Sequence, residues 1–240
     1  MDSCNCPNLE RKRWGHFHFK PLYESFHVEN TEGRFINEEF PPESDIFKEQ
    51  NYAGAEISYK FQNKNSTSFP TLALDLRITA GYKGGIGENS DDNSFAYVEP
   101  YFGLIYGLVP SKNLVLTTRI GGEAILGDNF EFFHGATLGG SHGLRGYRNE
   151  RFNGKYSLYY NIDLRMRLGK SKASFLPLKY GLTAGFDYGR VWVEDDVSNK
   201  WHNNIGGSFW ISGFEAFTGN IGYYHSTEGG RVSFTLGFEF

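Results

Sequence analysis

The 240-residue chain has little sulfur: two Cys, both within the first six residues, and two Met. Cys4 and Cys6 therefore cannot staple a fold, and without a second pair they do not make a metal site. No stretch approaches 18 consecutive apolar residues, which excludes a membrane-spanning helix. Strands that cross a membrane are not excluded, because they alternate apolar and polar residues and average to a mild hydropathy. Nor is there an excess of charge of one sign. Lys and Arg total 24 against 28 Asp and Glu, for a net −4, so no basic footprint for nucleic acid exists. The start, Met1-Asp2-Ser3-Cys4-Asn5-Cys6, lacks the basic and apolar regions of a secretory signal. It is expected either to stay in the cell or to be a processed chain carrying an added Met.

Helical periodicity is also missing. What the chain has instead is aromatics and glycine: 22 Phe, 15 Tyr, 4 Trp and 30 Gly. That mixture favours strands and tight turns. Period-two alternation is clear at 231–240, where Val232, Phe234, Leu236, Phe238 and Phe240 oppose Arg231, Ser233, Thr235, Gly237 and Glu239. It repeats at 156–168 and 71–83, and more weakly at 51–62, 94–109, 112–127, 177–193, 202–212 and 216–226. A tenth strand is expected in 14–28, where Pro21 points to an edge. The predicted fold is thus all-β: an antiparallel β-barrel of about ten strands, with eight or twelve as alternatives. Residues 1–13 are a tail and 14–240 one barrel domain.

Connections alternate between short (around Pro110-Ser111, at 170–172 and at 213–215) and long (29–50, 84–93, 128–155, 194–201). Outer-membrane barrels show one short and one long set in this way. A soluble lipocalin-like carrier alternates too, with its apolar face inward. Strands of about 11–15 residues and aromatics near strand ends (Tyr101, Tyr106, Tyr180, Tyr188, Trp192, Tyr223, Tyr224) favour the membrane version.

Few residues suggest chemistry. His16 and His18 share a face but lack a third ligand, so no metal site is expected. Gly84-Gly85-Ile86-Gly87 lacks the Lys-Ser/Thr ending of a phosphate loop and reads as a loop tip. Asp91-Asp92 and Glu194-Asp195-Asp196 read as solvated loop charges. No nucleophile motif is present, so neither an enzyme nor a cofactor is expected.

The loop 128–155 contains Leu144-Arg145-Gly146-Tyr147, and downstream lies Gly185-Phe186-Asp187-Tyr188-Gly189. These resemble, respectively, the Leu-Arg-Gly-Tyr loop motif and the Gly-x-x-Asp-x-Gly strand motif of the BamA/TamA superfamily of outer-membrane assembly and secretion barrels. The resemblance covers about residues 112–240 and is similar in kind to Bacteroidota members; no POTRA-like stretch precedes it. It implies a place in the outer membrane of a Gram-negative bacterium, lipid as surroundings, and membrane or periplasmic proteins as partners. It also implies that Arg145 folds inside against Asp187, with Gly146 and Tyr147 shaping the loop, and that Phe240 acts as a C-terminal insertion signal. The residues add their own support. Asp187 alternates with Phe186 and Tyr188 and so faces inward, and Gly135, Gly139, Gly140, Gly143 and Gly146 let the loop bend back. Asp163 and Glu123 are the other inward carboxylates expected within reach. The expected function is a non-enzymatic barrel aiding insertion or transport at the outer membrane. The alternatives are a surface-interaction or structural barrel with a filled lumen, and a soluble lipocalin-like carrier.

Overall fold

The computed structural model describes residues 14–31, 33, 40–41, 44–66, 69–87, 93–173, 176–193, 199–213 and 217–238. Cys4, Cys6, Asp91, Asp92, Glu194, Asp195, Asp196, Glu239 and Phe240 lie outside the described residues. The alternating segments become strands β1 (Trp14–Phe26), β2 (Gln50–Lys64), β3 (Leu72–Ile86), β4 (Ser94–Gly107) and β5 (Leu114–Leu126). The long loop then carries two short strands, β6 (Ala136–Leu138) and β7 (Phe152–Gly154). The run resumes with β8 (Tyr156–Ala173), β9 (Leu176–Trp192), β10 (His202–Gly213), β11 (Phe217–Ser226) and β12 (Gly229–Phe238).

Ten strands form one sheet in the order β1-β2-β3-β4-β5-β8-β9-β10-β11-β12, and every pairing is antiparallel. β6 and β7 pair only with each other. The all-β antiparallel class and the count of ten agree with the alternation. Pro21 does sit on an edge strand, since β1 and β12 bound the sheet and no ladder joins them among the described residues.

Some boundaries move. Lys170-Ser171-Lys172 is not a turn: it continues β8, which reaches Ala173. Gly84, Gly85 and Ile86 are not a loop tip either. They lie within β3, paired with Tyr52, Asn51 and Ser94 on the neighbouring strands, and only Gly87 turns away, at φ +89°. The final reversal, between β11 and β12, spans just Thr227-Glu228, so the long set of connections ends on a short one.

The sheet curls. Phe69, in the turn between β2 and β3, stacks on Trp210 of β10 at 5.0 Å, although four strands lie between β3 and β10. Its two faces differ in an unusual sense. The convex face presents the large apolar side chains to the outside, among them Phe17, Phe102, Leu164, Leu182, Ile205, Ile221 and Val232. The concave face buries polar ones: Thr117, Asn161, Asp163, Thr183, Asp187, Asn204 and Ser208. Ordinary soluble sheets bury the apolar face. Buried apolar residues form small clusters where loops fold onto the concave face. One gathers Phe95, Tyr97, Ile125 and Ala136, another Phe69, Val115 and Trp210, and a third Leu138, Leu144 and Tyr147.

Candidate functional site

The loop between β5 and β8 does not extend away from the sheet but returns along its concave face. Its return rests on one transverse row of the sheet. Asn161 on β8 pairs with Asp187 on β9, Asp187 with Asn204 on β10, and Asn204 with Ser226 on β11. Pairing at the same level, with alternation fixing the face, turns all four inward, and all four are buried. Each of three grips a successive part of the loop. Asn161 Nδ2 donates to the Gly143 carbonyl at 2.6 Å, Asp187 receives Arg145, and Ser226 Oγ donates to the Gly146 carbonyl at 2.9 Å.

Asp187 accepts from the Arg145 backbone N–H (3.0 Å), Nε (3.0 Å) and Nη2 (2.6 Å), and from Asn161 and Asn204 amides at 2.7 Å each. The next row down holds the guanidinium. Asp163, Gly185, Gly206 and Tyr224 follow one another across β8 to β11. Arg145 Nη2 reaches Asp163 Oδ1 at 2.7 Å, and Nη1 donates to the Tyr224 hydroxyl at 2.7 Å. The Tyr224 ring lies 4.3 Å from the guanidinium carbon. The glycine between them supplies the floor: a Cβ on Gly185 would stand 2.4 Å from Asp163 Oδ1 and 2.8 Å from Arg145 Nη2. Asp163 also binds Arg119, so two carboxylates and two guanidiniums alternate in one chain of contacts. Burial works against the Arg145 charge, but the Asp187 hydrogen bonds and the adjacent carboxylates outweigh it and leave its pKa raised.

Neighbours in the motif fix the loop's shape. Leu144 and Tyr147 are buried with Leu138 against Phe152, Tyr159 and Val191. The Tyr147 hydroxyl donates to the Asn203 carbonyl at 3.1 Å and meets Thr227 Oγ1 at 3.2 Å. Gly146 runs so close to β10 that a Cβ would come within 2.6 Å of Asn204 Cβ. Gly143 adopts φ +78° over the Tyr159 ring, a conformation other residues take only with strain.

Of the sequence-predicted residues, Leu144, Arg145, Gly146, Tyr147, Asp187 and Asp163 come together, and Glu123 does not. Its backbone N–H donates to Ser157, and it lines a polar cavity of ≈ 160 Å³ with Glu99, Arg77 and His142. Phe240, the expected C-terminal signal, lies outside the described residues. Sequence reasoning missed Asn161, Asn204, Ser226 and Tyr224 as parts of the site. The sequence groups Tyr224 with the aromatics near strand ends, but it is buried, as its alternation with the exposed Tyr223 requires. Tyr101 likewise turns inward, over Arg77.

The other end of the loop docks separately. In the turn Phe132–His134, Phe133 stacks on Phe26 of β1 at 4.5 Å, and His134 lies among Phe26, Tyr52 and Phe95 at 4.5–5.0 Å. His134 Nε2 stands 3.6 Å from Glu24, which is held by Lys83 at 2.8 Å. Burial, helped by Lys83, pushes the His134 pKa down to about 4. His16 and His18 remain on β1 with rings 6.3 Å apart, and among the described residues no three His, Cys, Asp or Glu are grouped to hold a metal ion.

No family model matches the chain, and no curated protein matches it. The arrangement holds the loop in place with a buried ion pair.

Proposed function

We propose that this chain is a non-enzymatic β-barrel protein of a Gram-negative outer membrane, related to the BamA/TamA assembly and secretion barrels, that aids insertion or passage of other chains at that membrane. The observation that carries the membrane reading is the inverted sheet, with Phe17, Phe19, Val232 and Phe234 each at least 70% exposed and Asp187 fully buried. Water disfavours so much uncovered apolar surface, whereas a hydrocarbon layer requires it. A lipocalin-like carrier would turn the same alternation the other way. The Arg145–Asp187 latch, on the motif pair that carries the resemblance, supports the assignment to the superfamily.

A second reading, a structural or surface-interaction barrel with a filled interior, is favoured by the loop lying along the concave face. One experiment separates them. The protein is extracted from an outer-membrane fraction, placed in liposomes, and the rate at which a small urea-unfolded barrel protein inserts is compared with empty liposomes. A several-fold acceleration supports assistance to insertion. An unchanged rate, with the protein itself correctly inserted, supports the second reading. Recovery in solution without detergent overturns both.

A further inference from the structure

We propose that the wall between β4 and β5 binds one bilayer lipid with a primary-amine head group. Its chain lies in a groove on the convex face, and its ammonium reaches Glu99 and Glu123 on the concave one. The site rests on the membrane reading and goes beyond it.

It begins at a proline in an unusual place. β4 is a central strand, yet it carries Pro100, which has no N–H to donate to a neighbour. The ladder to β5 pairs Val98 with Ala124 and Tyr101 with Gly121, and skips the two positions between. That register sets Pro100 opposite Gly122 and Glu99 opposite Glu123. Phe102 and Ile120, two residues further along, are exposed on the convex face, so alternation turns Pro100 and Gly122 outward and the two carboxylates inward. A proline and a glycine thus meet outside, where neither fills much space. Inside, two like charges stand directly opposite each other, which destabilises a sheet unless a cation comes between them.

Each face is hollow at this spot. On the convex side an apolar groove of ≈ 380 Å³ passes Pro100 and Gly122, walled by Ile78, Phe102, Ile120 and Leu158. On the concave side lies the polar cavity of ≈ 160 Å³ that holds Glu99 and Glu123, lined also by Thr137 and His142 of the loop. Arg77, Pro100, Tyr101, Gly122, Glu123 and Ser157 line both hollows. Only the thickness of the sheet separates them, at the point where its hydrogen bonding is interrupted.

The two hollows accept different things. An apolar groove on a membrane-facing wall takes an acyl chain. The inner cavity takes a cation, because Lys83 and Arg77 of the neighbouring β3 are already held by Glu24 and Asp75, at 2.8 and 3.1 Å. A molecule with a chain at one end and a cation at the other fits both at once. A primary ammonium suits the gap: it is compact and carries three donors for the facing carboxylates. A trimethylated ammonium has no donor and is too broad to enter between strands about 4.8 Å apart. Arg77, which lines both hollows, brings positive charge for the phosphate beside the amine. Tyr156, exposed at the loop end of β8, lines the groove and marks the interfacial level at which head groups lie.

The test offers the intact chain in detergent three lipids with identical acyl chains: phosphatidylethanolamine, phosphatidylglycerol and phosphatidylcholine. After washing with excess detergent, bound lipid is counted by mass spectrometry of the undissociated complex. The expected result is one phosphatidylethanolamine per chain, retained about tenfold better than either other lipid. A carbodiimide should then couple its amine to Glu99 or Glu123 as an amide, read as a lipid-modified peptide. Combining Glu99→Gln with Glu123→Gln should cut retention about tenfold. Ala124→Phe, which fills the groove from outside, should do the same with both carboxylates in place. Neither change threatens folding, since the first relieves a like-charge pair and the second adds an apolar side chain to the lipid face. Equal retention of the three lipids, or unchanged retention in the glutamine variant, overturns the site. A protein that is monodisperse without detergent overturns the membrane reading, and the site with it.

Discussion

Asp187 accepts hydrogen bonds from three groups of Arg145 and from two flanking amides, in a place solvent does not reach. Such a carboxylate is costly to leave unpaired, and removing one partner of a buried pair costs about 3–5 kcal/mol. Arg145→Ala strands the carboxylate, and Asp187→Asn places an amide against other donors beside a guanidinium left with Asp163. Both should loosen the loop to a similar degree. The check is limited proteolysis: the native loop should resist nicking within 128–155, and both variants should be cut at least tenfold faster. Equal cutting of all three would show the latch to be unimportant. His134 gives a pH dependence at the same scale. Its pKa falls from 6.5 to about 4 on folding, so the unfolded chain binds more protons between those values. Stability should be full above pH 6.5, fall as pH drops towards 4, and lose nothing further from this group below that. The expected loss is on the order of 3 kcal/mol. Glu24 and Lys83 face His134, and Glu24 offsets part of the loss once the ring is charged. His134→Gln should flatten the melting temperature across that window.

At the scale of the element, β12 offers the sharpest contrast. Leu236 is exposed on the convex face, while Thr235 belongs to the inward series with Arg231 and Ser233. In a membrane, Leu236→Arg should cost roughly 2–4 kcal/mol and Thr235→Arg much less, measured by urea titration in liposomes. Equal costs would reverse the assigned faces. The same alternation explains what was legible beforehand. A two-residue period announces each long strand and its facing, so Asp187 could be placed inward between Phe186 and Tyr188 without a structure. Three-residue β6 and β7 are too short to show a period. Lys170-Ser171-Lys172 has turn-like composition, and only its pairing with β9 shows that the strand continues. Asn204, Ser226 and Tyr224 were illegible as site residues for a different reason. They join Asn161, Asp187 and Asp163 through the registers of β8 to β11, and register is a property of strand pairs.

For the whole molecule, several charges of the concave face are held in pairs: Lys83 with Glu24, Arg77 with Asp75, and Arg119 and Arg145 with Asp163 and Asp187. Paired charges beneath a docked loop do not line an aqueous path. Planar bilayers holding the protein should show no steady ion conductance, and Arg145→Ala should raise the frequency of openings several-fold. Large stable channels in the unaltered protein would mean that the loop leaves the interior readily.

The latch also sets an order of events. Gly146 and Ser226, which close it, lie 80 residues apart, and Tyr147 reaches equally far to Thr227. Contacts so distant along the chain are slow to form, because the intervening segment must first be arranged. Here that segment is β8 to β11 themselves, so the loop finds its berth only after the last hairpin is in position. Its capture is therefore a late checkpoint on maturation. In pulse-labelled refolding, amide protection at Gly143–Tyr147 should lag behind that of β8 and β9, and a chain cut short before β11 should build much of its sheet yet never secure the loop.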